Sequence, residues 1–223
     1  MQSCDEFKKI FWNQYISIEK EFLDTIHYVA LSEENYSVYS DEYAKLLLQI
    51  GSEIDIALKY YCKILDTSFE GERICDYKKS IRKCDKNFVK QEIQCLFEKS
   101  IRLYPWECWS ANKGSPYWWT AYNKVKHCRN EVGIIEDKNE EKQYFKFANL
   151  KYTLHSLAAL YHIWLCSYYQ LAIAEGETLL LPLPASRVFK AAGSKWEATG
   201  FYGDFALYLK DGCLYMEHGM PYN

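Results

Sequence analysis

Apolar side chains recur every three or four positions along most of the first 175 residues, and that spacing predicts helices. Over residues 5–31 they are Phe7, Phe11, Tyr15, Ile18, Phe22, Ile26 and Val29, one stripe of a long amphipathic helix that Ser32-Glu33-Glu34-Asn35-Tyr36-Ser37 interrupts. A second helix is expected from about Ser40, whose hydroxyl suits an N-cap, to about Leu65. Its broad apolar face carries Tyr43, Leu46, Leu47, Ile50, Ile54, Ala57, Leu58 and Tyr61. Gly51 inside that helix costs about 1 kcal/mol against alanine, a sign of a close approach by another helix. A short basic segment follows over Glu72 to Lys83, whose cations read as a solvated face ahead of a phosphate contact. From Asn87 to Asn112 the period is lost, and the aromatic run Pro105-Trp106 with Trp109 reads as a loop packed over the bundle.

Periodicity returns at Ser115-Pro116-Tyr117-Trp118-Trp119-Thr120-Ala121-Tyr122-Asn123-Lys124-Val125-Lys126-His127-Cys128-Arg129-Asn130. Ser115 suits an N-cap, Pro116 the first helical position and Gly133 the C-terminal end. Winding at about 100° per residue places Trp118, Ala121, Val125, Cys128 and Val132 on a packed stripe. The opposite arc receives Tyr122, Asn123, Lys126, His127, Arg129 and Asn130. The longest regular element then shows Phe147, Leu150, Leu154, Leu157, Tyr161, Trp164, Tyr168 and Leu171 at alternating spacings of three and four, a heptad-like seam for a central bundle helix or a dimer interface. His155 and His162 lie beside it, about 10 Å apart along the axis, too far to share a metal.

The last forty-odd residues change character. Leu179-Leu180-Leu181-Pro182-Leu183-Pro184 is expected to stop the helix. Asp211-Gly212 then suits a two-residue hairpin turn that pairs Leu209 with Leu214, Tyr208 with Tyr215 and Leu207 with Met216. A third strand is expected from Ser186 to Lys190 or from Trp196 to Tyr202. The fold class is therefore mainly α: a bundle of four to five helices over residues 1–178, with a C-terminal antiparallel hairpin or three-stranded sheet over 179–223, packed on the bundle or on a partner subunit.

Composition narrows the function. With 49% hydrophobic residues the chain can bury a sizeable core, and a net charge of −3 means that any polyanion site is local. Nine cysteines without paired spacing read as reduced thiols, so no metal site and no cofactor is expected. The first residues lack a basic region followed by an apolar one, and the apolar run Leu157 to Ala174 contains His162, Ser167 and Gln170. These features lead to the expectation of a cytoplasmic protein without a membrane span.

The polar arc carries the candidate chemistry. His127 suits acid–base work near neutral pH, Lys126 and Arg129 suit a phosphate, and Asn123 lies one turn before His127. An Asn-x-x-x-His element on a late helix, followed by a long apolar helix, resembles the HEPN superfamily (higher eukaryote and prokaryote nucleotide-binding domains). The WW, YN and KH-x-R pattern between Pro116 and Arg129 also looks like that of uncharacterised bacterial and phage-linked proteins near this superfamily. The resemblance implies a metal-independent endoribonuclease or toxin of a bacterial defence system, acting on RNA or nucleotide as a homodimer, with a cognate antitoxin. It places the catalytic residues at His127, Asn123 and Arg129, and substrate or phosphate contacts at Lys126, Tyr122 and Asn130. Tyr122 stands where the family motif has arginine, and a tyrosine lacks the permanent charge and forked donors of a guanidinium. The alternative is a non-catalytic interaction or structural dimer whose cluster is a buried hydrogen-bond network.

Overall fold

The computed structural model describes residues 3–110, 114–136, 141–177, 180–193, 196, 201–202, 205–210 and 213–218, the last three ranges as backbone. Among these residues the fold is mainly α. A continuous first helix runs from α1 (Cys4–Phe7) through a π-helical stretch (Lys8–Trp12) to α2 (Asn13–Ile26). Ser3 and Glu6 cap its start reciprocally, the Ser3 Oγ accepting the Glu6 N–H at 3.2 Å. It ends short of the expected residue 31, and Ser32 caps a 3₁₀ turn at Glu33–Asn35. Helix α3 (Asp41–Leu65) starts behind Ser40, whose Oγ accepts the Tyr43 N–H at 3.1 Å. The basic segment forms α4 (Ile74–Cys84), which buries Tyr77 and Ile81.

Between α4 and α5 (Tyr117–His127) lie strands β1 (Ile93–Cys95) and β2 (Arg102–Leu103) and the aromatic loop. Trp106 and Trp109 are buried with their rings 4.4 Å apart, so this loop packs over the bundle. After α5 come the short strands β3 (Val132–Gly133) and β4 (Lys142–Gln143), then α6 (Leu150–Glu175). The seam positions from Leu150 to Leu171 are all buried, but so is the rest of the helix circumference from Leu150 to Tyr168, except Lys151 and His155. The seam is therefore part of a helix enclosed on all sides. His162, expected at the core edge, is 1% exposed and stacks on Phe88 with ring centroids 4.4 Å apart. Helix α6 is long and apolar enough to cross a membrane by length and composition, and 78% of that window is buried inside the fold. It stops before the proline run, at Gly176, whose φ of +71° is the left-handed conformation that glycine adopts without strain.

The C-terminal region divides into two parts. Strand β5 (Phe189–Ala191) does not join the hairpin; it pairs antiparallel with β1, giving the order β2-β1-β5. The third strand of the hairpin sheet is β6 (Phe201–Tyr202), beside β7 (Phe205–Lys210) and β8 (Cys213–His218). The β7–β8 register pairs Leu207 with Met216, Tyr208 with Tyr215 and Leu209 with Leu214, as the turn chemistry predicts; the Asp211-Gly212 turn lies outside the described residues.

Residues 184–189 are fastened to the first helix by a buried carboxylate. Glu19 is 1% exposed and accepts from Tyr15 Oη at 2.6 Å, from Ser186 Oγ and from the Arg187 N–H at 2.8 Å. Burial pushes its carboxyl above the ordinary range, and these donors oppose that rise. Nearby, Trp12 Nε1 donates to the Pro184 carbonyl at 2.8 Å.

Gly51 has the close neighbour that its cost implies. A Cβ at this position would lie closer than 3.0 Å to three ring carbons of Tyr122, so the α5 tyrosine rests on the bare backbone of α3. Gly51→Ala therefore forces the two helices apart, and overpacking of this kind costs about 1–3 kcal/mol. The thermal midpoint, followed by circular dichroism, is expected to fall by about 2–4 °C for each kcal/mol. Adding Tyr122→Leu should recover part of the loss; an unchanged midpoint in Gly51→Ala would show that the helices do not meet here.

Candidate functional site

Helix α5 is held from both ends. Its N-cap is Pro116, one residue later than the sequence implies, and Ser115 makes no cap hydrogen bond. Trp118 fixes this end by donating its indole N–H to the Pro105 carbonyl at 2.9 Å and standing edge-on to Trp106, 5.1 Å between ring centroids. The helix ends at His127, six residues before Gly133, which lies in β3 with the Tyr144 hydroxyl against its backbone. Cys128 is thus half-buried past the end of the helix, and Val132 is exposed.

The predicted polar arc is split by this geometry. Tyr122 is 5% exposed and belongs to the packed face, although its hydroxyl still accepts from Lys126 Nζ at 3.2 Å. Its ring therefore serves the contact with Gly51. Asn123 is half-buried and donates its side-chain amide to the Trp119 carbonyl of its own helix at 2.9 Å. Lys126, His127, Arg129 and Asn130 are exposed around the last turn. Arg129 Nε donates to the Val125 carbonyl at 3.3 Å, a favourable cation at the negative end of the helix dipole. Lys126 and His127 belong to the last turn and Arg129 and Asn130 follow just past it, and these exposed side chains are not a buried hydrogen-bond network within the chain.

The chain beyond α5 adds what the motif lacks. The Phe145 N–H donates to the Arg129 carbonyl at 3.1 Å and the Tyr144 N–H to the Glu131 carbonyl at 2.8 Å, laying β4 and the following 3₁₀ turn (Tyr144–Phe147) beside the helix end. Lys124 sits 4.8 Å over the Tyr144 ring. Segment 36–40 crosses the start of α6, where the Val38 and Tyr36 carbonyls accept from the Leu150 and Lys151 N–H groups at 3.0 and 3.2 Å. These hydrogen bonds satisfy donors that the first turn of a helix leaves open. The result is an open cleft of about 700 Å³, lined among others by Tyr36, Tyr39, Val132, Lys142, Lys146 and Tyr152. Tyr39 stands edge-on to Phe145 at 5.4 Å, and Lys146 Nζ lies 6.0 Å from both ring centroids.

Lys142 and Lys146 line the cleft without a carboxylate partner among the described residues, and three more cations of that kind, Lys124, Lys126 and Arg129, lie on or just past the last turns of α5. One carboxylate, Glu141, also lines the cleft. Tyr39, Lys142 and Lys146 carry no sequence signal of their own, since Tyr39 comes from one segment and the two lysines from another, and none shares a spacing with the helix motif. Among the described residues no three His, Cys, Asp or Glu side chains gather as a metal site, and the cysteines with described side chains are free thiols.

A second cavity of about 640 Å³ opens at the other end of α5 and shares Lys151 and Tyr152 with the cleft. At its wall Lys151 Nζ meets both Glu136 carboxylate oxygens, at 2.7 and 2.9 Å, and Tyr152 Oη donates to Glu136 Oε1 at 3.1 Å. Also lining it is His155, whose pKa burial lowers from 6.5 to about 4, with Lys151 adding to the drop and Glu136 opposing it.

No family model, curated protein or solved structure matches this chain.

The His155 shift sets a pH dependence. The unfolded chain takes up this proton below about pH 6.5 and the folded chain only near pH 4, so the histidine's contribution is complete above 6.5 and is lost as pH falls between those values. Urea unfolding of the parent and of His155→Gln across that interval is expected to show a steeper loss of stability in the parent. Parallel curves would mean that His155 is protonated as readily in the folded chain as in the unfolded one.

Proposed function

We propose that this chain binds single-stranded RNA along the exposed end of α5 and the adjoining cleft. Lys126, Arg129, Lys142 and Lys146 take the phosphates, and Tyr39 offers a face for base stacking. One observation carries the reading: Lys142 and Lys146, without a carboxylate partner among the described residues, line an aromatic-edged cleft next to the cationic end of α5, in a protein whose overall charge is negative. Surface lysines are ordinarily interspersed with acids, whereas a basic groove with aromatic side chains suits the backbone and bases of a single strand. The HEPN-like Asn-x-x-x-His element ends at the exposed His127 beside Lys126, which agrees with an RNA-directed role.

Cleavage extends the same reading. His127 is exposed at the end of α5 and is the group suited to move a proton there, with Arg129 available for the charge that develops on phosphate. Asn123 is turned into its own helix in the single chain, so a metal-independent endoribonuclease built from these residues needs a second copy to complete the site, in line with the homodimer that the resemblance implies.

Fluorescence anisotropy with a short single-stranded RNA tests the binding. The double variant Lys126→Ala/Arg129→Ala is expected to bind more weakly and to reduce the slope of log affinity against log salt by about 0.7 for each phosphate that is no longer neutralised. Unchanged affinity and slope would remove these residues from the site. His127→Ala should keep the parent's thermal midpoint and RNA affinity while losing cleavage of the bound strand; equal cleavage by both proteins would end the catalytic role.

A further inference from the structure

The 640 Å³ cavity beside the cleft differs from it chemically. The cleft offers cations, whereas the cavity is lined by two carboxylates, Glu107 and Glu136, one lysine already engaged by Glu136, the imidazole of His155 and the aromatic rings of Tyr117 and Tyr152. A phosphate gains nothing from such a lining. A flat neutral ring with amino hydrogens does, because carboxylates accept from an amino group and repel a carbonyl oxygen in the same place.

The hydrogen-bonding capacity is there to be used. A carboxylate has about four lone-pair positions, and Glu136 spends three of them, two toward Lys151 and one toward Tyr152. Among the described residues its Oε2 keeps one open. The Glu107 carboxylate has no hydrogen-bond partner among the described residues. A neutral imidazole at His155 presents one donor and one acceptor, matching the edge of a base that has both. Tyr117 is 47% exposed at the mouth of the cavity, in a position to cover a ring face. The volume also lies within the usual range of about 300–1,000 Å³ for small-molecule sites.

The wall between cavity and cleft is thin. Lys151 and Tyr152 face both, and Tyr36, which lines the cleft, stands edge-on to His155, which lines the cavity, 6.4 Å between ring centroids. A strand whose phosphates lie on the cleft therefore runs next to the cavity.

We infer that the cavity is a base subsite of the RNA-binding surface, taking an unstacked base with an exocyclic amino group in preference to uracil. This rests on the single-stranded RNA reading. Backbone contacts in the cleft position the strand, and the cavity supplies the selectivity that they lack.

The test compares oligocytidylate, oligouridylate and an abasic phosphodiester oligomer, each of about six units, by fluorescence anisotropy. Cytosine and uracil share one ring size, so the comparison isolates the amino group from stacking area. The parent protein is expected to bind oligocytidylate about tenfold more tightly than oligouridylate, and the abasic oligomer more weakly than either. Tyr117→Ala and Glu107→Gln, both at exposed positions, should erase the cytosine preference and leave abasic binding unchanged. His155→Gln provides a third variant from the cavity interior. Equal affinity for all three oligomers would overturn the base subsite while leaving phosphate binding in place. Failure of all three to bind would overturn the RNA reading and the subsite with it. A cytosine preference that survives all three variants would place base recognition outside the cavity.

Discussion

Helix α6 has no side that can face water along most of its length, and this constraint organises the chain around it. An ordinary bundle helix hides one stripe and solvates the rest; α6 buries small and large residues alike, from Ala158 and Ala159 to Trp164 and Tyr168. The other elements have to enclose it. Helix α3 and the first helix supply two sides, α5 a third, and β5 with Phe189 against Tyr161 closes another. Even polar groups on it are turned inward to its own backbone, as Ser167 is to the Ile163 carbonyl at 2.9 Å.

That enclosure fixes where function can reside. Between its two ends α6 is closed off; its first turns reach the surface with Lys151 and His155, and both open spaces at the ends of α5 meet there. Helix α5 itself is short and lies across the bundle with its two ends exposed to different chemistry, a cationic rim at one and a carboxylate-lined cavity at the other. A rigid core helix under both spaces keeps their separation constant, which a pair of loops could not do.

Much of the architecture was legible because periodicity and caps depend on neighbours in sequence. Ser40 starts α3 where its hydroxyl predicts, and the strand register across Asp211-Gly212 follows from turn chemistry alone. What remained hidden required distant partners. Tyr122 looks polar on a helical wheel and is packed because Gly51, seventy-one residues earlier, leaves a hollow for its ring. Gly133 reads as a helix terminator, yet it lies in a strand against Tyr144. Ser186 to Lys190 has the composition of a hairpin strand, but its Phe189 and Lys190 pair with β1, whose short irregular segment gave no period to recognise. The motif residues Lys126, His127 and Arg129 were visible as a group because they are near neighbours in sequence at the end of one helix. The cleft and cavity were not, since their lining comes from four separate segments.

The Glu19 clamp bears on how the protein is made. Its carboxylate and its partners Ser186 and Arg187 are 167 and 168 residues apart, so the first helix waits for almost the whole chain before its buried acid is satisfied. During synthesis that helix leaves the ribosome with a hydrated carboxylate on the face destined for the interior. Docking it early would bury a charge with Tyr15 alone of these three donors in place, a strong penalty against closing the core around an unfinished chain. A chain truncated before residues 184–189 lacks the Ser186 and Arg187 donors, so closing its core requires either a poorly satisfied carboxylate or a proton on Glu19.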